Sequence, residues 1–428
     1  MRHYFAAPFT SVLLFLAAPS PGKAEDAMRG AYLAAASDCV VCHTVSEGAP
    51  YAGGFKMKTP LGAIFSTNIT PDPDTGIGAW SFEDFDRALR LGISRDGHRL
   101  YPAMPYPSYA RFTDADSHAL YDYFHNEVKP VRQSNTANEI EPPWNARWPL
   151  AIWSLAASGA PFRANPAFDA AWNRGAYLVQ GAGHCGACHT PRGWLFQEKA
   201  LDERGGAFLA GASLDNWSAP NLRGDLNSGL GRWSADEIVA FLKTGHSRHG
   251  SAFGAMRDVV LYSTSAMNDA DLAAIAKYLK SLSPSLDRRQ SVVVEDTRTE
   301  ADLAAHRTDA TGAATYVRQC ASCHGVDGKG GGGLPPLAGN AAVLDPDPAS
   351  LINIVLNGAP ALEMGAGEYG EAMPQFRSFL KDNEIADAIT FIRSAWGNRA
   401  PAVSQSAASA ARKATAAGTD HAIIRQMR

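Results

Sequence analysis

The sequence predicts an all-α protein made of three tandem helical units. Three observations predict it: a motif of two cysteines and a histidine occurs three times, the segments around it repeat, and those segments carry helix-capping patterns. In 428 residues there are 6 cysteines, and all fall in Cys39-x-x-Cys42-His43, Cys185-x-x-Cys188-His189 and Cys320-x-x-Cys323-His324. At 19% charged and 46% hydrophobic the chain is neither disordered nor collagen-like. Its net charge of -4 argues against a nucleic-acid partner, because phosphate binding requires a basic face.

Residues 1–24 read as an export signal, with Arg2 and His3 as a basic start, an apolar run from Phe9 to Ala18, and cleavage after Ala24. The run is shorter than a bilayer-spanning helix needs, although an uncleaved anchor is the alternative. The first unit spans 25–150, the second 165–290 and the third 305–397. RGAYL stands before the first motif (Arg29 to Leu33) and again before the second (Arg174 to Leu178), with a looser version at Ala313 to Val317. Ser81 with Asp84, and Ser234 with Glu237, have capping-box spacing. Closing helices begin at Thr113, Asn268 and Asp382, and Leu272, Ile275, Ala276 and Leu279 form a one-sided stripe. Between the first two units, Glu141 to Pro166 carries Trp144, Trp148 and Trp153 among prolines, which predicts packing between domains or, alternatively, a protein or membrane interface. The second linker is charged, and 398–428 is an Ala/Ser-rich tail expected to be disordered or weakly helical.

Cys-x-x-Cys-His is the attachment signature of c-type haem: two thiols form thioethers to the porphyrin, and the adjacent imidazole becomes the proximal iron ligand. Three motifs imply three covalent haems bound through Cys39, Cys42, Cys185, Cys188, Cys320 and Cys323, with His43, His189 and His324 on the irons. Three local disulfides would be strained across two-residue loops and would leave the histidines unexplained. Structural zinc would strand one cysteine pair, and a thioredoxin-like site expects a surrounding βαβ pattern. The Gly328 to Gly333 run lacks the strand and Lys-Ser/Thr ending of a phosphate loop and reads as a turn beside the third haem.

Methionine is the usual sixth ligand in electron carriers, since its soft thioether favours ferrous iron and raises the potential. Repeat position selects Met104, Met256 and Met373, with Met267 as the alternative in the second unit. Met28, Met57 and Met364 read as core filling. His98, His246 and His249 lie where a distal histidine would have to come from. The carbonyls of Pro220 and of Pro335 or Pro336 are placed to orient a proximal imidazole.

The run GAIFSTNITPDPDTGIGAWSFEDF (62–85), followed by RDGHRLYPAMPYPSY (95–109), resembles the first domain of the triple-haem cytochrome c subunits of membrane-bound dehydrogenases. These serve quinoprotein alcohol dehydrogenases and flavoprotein gluconate, sorbitol and fructose dehydrogenases. Asn145, Arg147 and Trp148 match the pattern of that family's first linker. The resemblance implies three tandem cytochrome c-like domains and supports Met104, Met256 and Met373 as axial ligands. It also implies an exported, peripheral protein on the periplasmic side of the bacterial inner membrane. There it would carry electrons from a large catalytic subunit holding flavin or PQQ to ubiquinone, with room for a small third subunit. No Rossmann fingerprint and no sign of a flavin or quinone-cofactor site accompanies the haem motifs, so no substrate-oxidising residue is assigned to this chain. The rival readings are a multihaem, peroxidase-like enzyme and a free-standing periplasmic carrier.

Overall fold

The structure is a computed structural model that describes residues 21–59, 61–214, 216–285, 296–331, 333–364, 367–369 and 371–415. The segment read as an export signal lies outside the described residues as far as residue 20. Helix α1 (Pro21–Ala36), α2 (Phe82–Leu91) and α3 (Asp114–Asn126) frame the first unit, and α4 (Pro149–Ala157) belongs to the linker. The second unit is built on α5 (Ala170–Gln180), α6 (Ala235–Thr244), α7 (Ala255–Tyr262) and α8 (Asp269–Ser281). The third has α9 (Ala313–Gln319), α10 (Ala349–Asn357), α11 (Asp382–Ser394) and α12 (Gln405–Ala414).

Both expected capping boxes form. The Ser81 hydroxyl accepts from the Asp84 amide at 3.2 Å, and the Ser234 hydroxyl accepts from the Glu237 amide at 3.1 Å. Thr113 and Asn268 cap α3 and α8 in the same way, with Asp116 and Asp271 three residues on. Helices carry the cores, but the chain is not purely helical: among the described residues, nine strands of two to four residues make four small antiparallel sheets. The largest joins Lys56–Thr59, Gly62–Phe65 and Glu139–Ile140, with Lys56 opposite Phe65 and Gly62 opposite Ile140. Such short strands carry too few alternating residues to announce themselves in sequence.

In each unit the first helix crosses the last at a glycine. A Cβ on Gly30 would collide with the carbonyl oxygen of Ala119, one on Gly175 with that of Ala274, and one on Gly312 with that of Asp387. This explains the glycine of RGAYL. The arginine and tyrosine have a different purpose. Arg29 Nε donates to Asp116 at 2.6 Å inside the first unit, and Arg174 donates to Asp271 at 2.8 and 2.7 Å inside the second. The tyrosines cross over: Tyr32 donates to Asp271 at 2.6 Å, and Tyr177 donates to Asp116. Each hydroxyl also accepts from the other unit's cap residue, Asn268 N at 3.4 Å and Thr113 N at 3.3 Å. Burial first, and then the hydrogen bond to Asp271, pushes the Tyr32 hydroxyl up, so it stays a donor. The two repeats are thereby related as halves of a pseudo-dyad. They share one hydrophobic core in which Leu33, Phe112 and Leu120 join Leu178, Phe208 and Leu272.

The third unit has its own core around Tyr316, Leu356, Ile385 and Ile389. It lacks the arginine of RGAYL, and its tyrosine turns inward, with Tyr316 donating to the Gly325 carbonyl at 2.6 Å. As far as Thr415 the Ala/Ser-rich tail is helical rather than disordered, and it is docked on the third unit. Helix α12 packs on α10 and α11 with Ala408 fully buried, and Arg412 donates to Asp382 at 2.5 Å and to the Leu380 carbonyl at 2.7 Å. The tail beyond 415 lies outside the described residues. In the first linker, Trp153 packs edge-on against Tyr106, but Trp144 and Trp148 are exposed, so the linker tryptophans do not all serve domain packing.

Replacing Tyr32 or Tyr177 with Phe removes one hydrogen bond to a buried carboxylate across the seam. Each change should destabilise the first two units by about 1.5–3 kcal/mol, read as an earlier denaturant midpoint. The transition assigned to the third unit should not move.

Candidate functional site

Each Cys-x-x-Cys-His run sits on a short helical turn directly after the first helix of its unit, at Cys39–Cys42, Gly186–His189 and Ala321–His324. All six cysteines are unbridged. Burial is the main influence on the first pair and pushes the Cys39 and Cys42 thiols up to about 12. Neutral thiols suit addition to a porphyrin vinyl and do not suit a zinc site, which takes thiolates.

The three histidines share one hydrogen-bond pattern. His43 Nδ1 donates to the Thr67 carbonyl at 2.7 Å, His189 Nδ1 to the Pro220 carbonyl at 2.7 Å, and His324 Nδ1 to the Pro335 carbonyl at 3.1 Å. A carbonyl only accepts, so the proton lies on Nδ1 and Nε2 keeps its lone pair for a metal. Burial lowers the pKa of all three imidazoles against the raising effect of these bonds, which keeps them neutral and fit to ligate.

The carbonyls are held by the loops that follow. Asn68 Oδ1 accepts from the Thr70 amide at 2.9 Å, and Asn68 Nδ2 donates to the Val131 carbonyl at 2.8 Å. In the second unit Asn221 Oδ1 accepts from the Arg223 amide at 2.7 Å. Thr67-Asn68-Ile69-Thr70 is therefore the counterpart of Pro220-Asn221-Leu222-Arg223, which makes the Thr67 carbonyl the equivalent of the one at Pro220. Sequence reasoning missed it because a threonine carbonyl leaves no signature, whereas the Asn shared by the two runs would have shown the alignment.

A cavity of about 880 Å³ is lined by Cys39, Cys42, His43 and Met104, with Ile77, Phe85 and Leu120 among its apolar walls. It continues past the second motif, reaching Ala187 and Cys188. The first two motifs thus border one space, and the Cys188 thiol acts electrostatically on that of Cys42. Apolar walls, two thiols and an imidazole with Nε2 free fit a covalent haem. Asp38, which precedes the first motif, is buried at this seam with Oδ1 lacking a partner. Desolvation, and then Asp258 of α7, raises its pKa well above the carboxylate range.

Met104 is half-buried on the cavity wall, and Met256 and Met373 are half-buried in their units. Met267 is 3% exposed, enclosed in the shared core. Met57 also lines the cavity, Met28 is exposed and fills no core, and the side chain of Met364 lies outside the described residues. Of the histidines considered as distal ligands, only His98 lines this cavity, and its Nδ1 is 2.5 Å from Asp96. His246 bonds Ser251 at 2.8 Å and His249 lies 3.3 Å from Glu237. The glycine run after the third motif folds back on it: the Gly330 amide donates to the His324 carbonyl at 3.1 Å, and Gly328, at φ 65°, lies against Trp396.

The cytochrome c family profile matches residues 27–126, 173–283 and 310–396. The cytochrome c subunit of a quinone alcohol dehydrogenase from Gluconacetobacter polyoxogenes is 49% identical over 405 residues, covering 93% of this chain and 86% of that one. The cytochrome c subunit of gluconate 2-dehydrogenase from Pantoea cypripedii is 47% identical over 91% of this chain and 90% of its own length. The cytochrome subunit of fructose dehydrogenase from Gluconobacter japonicus is 38% identical over 91% and 83%. Three cytochrome c domains, each with its attachment motif, give three covalent c-type haems. The chain belongs to the cytochrome c family, among the three-domain cytochrome c subunits of dehydrogenases.

Proposed function

We propose that this protein is the electron-transfer subunit of a dehydrogenase complex at the periplasmic face of the bacterial inner membrane. It receives electrons from a separate catalytic subunit holding flavin or PQQ and delivers them to ubiquinone. A small third subunit is compatible with this assembly. The observation that carries the reading is the common orientation of His43, His189 and His324 by backbone carbonyls, with the first two motifs bordering one cavity. Haem supplies one-electron chemistry; the chain holds each ring, fixes each imidazole and excludes water. The alcohol dehydrogenase relatives are quinone dehydrogenases by name, which supports a quinone as the acceptor.

The domains run over 25–150, 165–290 and 305–397, with α12 completing the third. Their haems are attached through the six cysteines, and their irons are ligated by His43 with Met104, His189 with Met256, and His324 with Met373. Repeat position supports Met256. Met267 immediately precedes the cap of α8, as Phe112 precedes that of α3 and Leu380 that of α11, and all three are buried core residues. A methionine at a position filled elsewhere by Phe and Leu is packing.

Peripheral attachment is supported by one exposed face, for which we take an anionic bilayer surface as the occupant. Among the described residues no helix is long and apolar enough to cross a membrane. Trp148, Ile152 and Leu155 are exposed along α4, at 71%, 62% and 88%, beside Trp194 at 87% and Phe196. Trp153 Nε1 donates to the Leu195 carbonyl at 2.9 Å and ties the two segments together. Residues 142–164 contain Arg147 and Arg163 and no acid, which suits anionic headgroups.

The purified protein should contain three haems and no free thiol; two haems or fewer would overturn the architecture. Met256→Ala should abolish one Met-to-iron charge-transfer band, and loss of that band in Met267→Ala instead would reverse the assignment. Leu155→Glu with Trp194→Glu should weaken co-sedimentation with anionic vesicles about tenfold or more, given roughly 1.5–3 kcal/mol per buried apolar side chain. If vesicle binding persists and assembly with the catalytic subunit fails, the face belongs to that subunit.

A further inference from the structure

A buried carboxyl group lies against the second attachment motif and has no counterpart in the electron-carrying machinery described above. Glu198 closes the hairpin that follows His189: Arg192 and Glu198 pair across it, the Gly193 amide donates to the Gln197 carbonyl at 2.8 Å, and the Lys199 amide donates to the Pro191 carbonyl at 3.0 Å. The hairpin exposes Trp194 and Phe196 at its tip and turns Glu198 inward, where its side chain is 6% exposed and lines the cavity shared with the first motif.

Its carboxylate occupies the space a Cβ would need at Gly186, the residue after Cys185. The other two motifs carry Val40 and Ala321 at that position, so only the second has room for an acid there. Among the described residues the oxygens of Glu198 accept no hydrogen bond. The nearest cation, Arg192, is 3.9 Å away and also donates to the carbonyls of Ala187 and Phe196. The other charged or titratable groups bearing on this spot are Cys185 and Cys188, which thioether formation removes from titration, and Asp38 across the seam. Burial raises Glu198 to about 7, against the lowering effect of Arg192.

We propose that Glu198 is a redox-linked proton site of the second haem. Reduction of that iron from ferric to ferrous adds one electron, and the Glu198 carboxylate takes one proton from water to become a carboxylic acid, so the local charge is unchanged; oxidation reverses both. A carboxylate without hydrogen-bond donors, pressed on the loop that holds the porphyrin, stabilises the ferric state by its charge. Neutralising it on reduction removes the cost of a buried negative charge beside a less positive iron. The inference rests on haem attachment at Cys185 and Cys188 and not on the identity of the electron donor or acceptor.

The test is spectroelectrochemical titration of the full-length holoprotein at a series of pH values from 5 to 9. One of three haem potentials should fall as pH rises through the neutral range, with a slope approaching about 59 mV per tenfold change in proton activity. Glu198→Gln should abolish that slope and leave the other two potentials in place, while Glu198→Asp, which still titrates, should retain a slope with its window displaced. Three haems per chain and intact Met-to-iron bands would show that the variants are folded. A wild-type protein with no sloping potential in this range overturns the proposal, as does a slope that survives in Glu198→Gln.

Discussion

Two carboxylates, Asp116 and Asp271, hold the first two thirds of the molecule together. Each sits in the first turn of its unit's last helix, bound by the arginine of its own unit and by the tyrosine of the other. A buried carboxylate is costly unless several donors satisfy it, and here the donors come from both sides of the seam. The shared core and the meeting of two haem motifs at one cavity lie on the seam that these carboxylates close. The third unit keeps the glycine crossing but lacks the arginine, and it packs around its own core.

Within each unit the chemistry depends on backbone more than on side chains. Covalent attachment fixes two points of a flat ring, and a carbonyl fixes the imidazole tautomer beneath it. The three units reach this arrangement with Thr67, Pro220 and Pro335, because any residue can offer a carbonyl. What must be preserved is the loop that aims it, and in the first two units an asparagine folds that loop back on itself. The seam between them also holds two acids, Asp38 and Glu198, both buried near attachment cysteines, and burial favours the neutral form of each. A buried acid lowers the potential of a nearby haem only while it is ionised, so its protonation offers a means of separating the potentials of otherwise similar sites.

Much of this was legible in the sequence. The attachment motif is contiguous because both sulfurs and the imidazole must meet one ring, and contiguity is what a single sequence displays. The caps at Ser81, Thr113, Ser234 and Asn268 were equally visible, since each cap and its partner lie three residues apart. The purpose of Arg29 and Tyr32 was not visible: repetition marked them, but their partners are 87 and 239 residues away. The helical reading of the tail holds as far as Ala414, but its docking was not visible, for a related reason. An Ala/Ser-rich composition says nothing about docking, and α12 is held by Arg412 against Asp382 and by Arg377 against Thr415, contacts 30 and 38 residues apart. The small hairpins escaped because two to four residues are too few to establish a period.

The crossed tyrosines also bear on the order in which the protein matures. A chain is made from its N-terminus, and the first unit holds Asp116 and Tyr32 before their partners arrive. Tyr177 is 61 residues beyond Asp116, and Asp271 is 239 beyond Tyr32. Contacts so distant along the chain form late. Until they do, the edge of the first unit that carries Cys39 and Cys42 is not covered by the second. Late closure of a long-range seam thus leaves the thiols of Cys39 and Cys42 more open to haem before the second unit docks than after it.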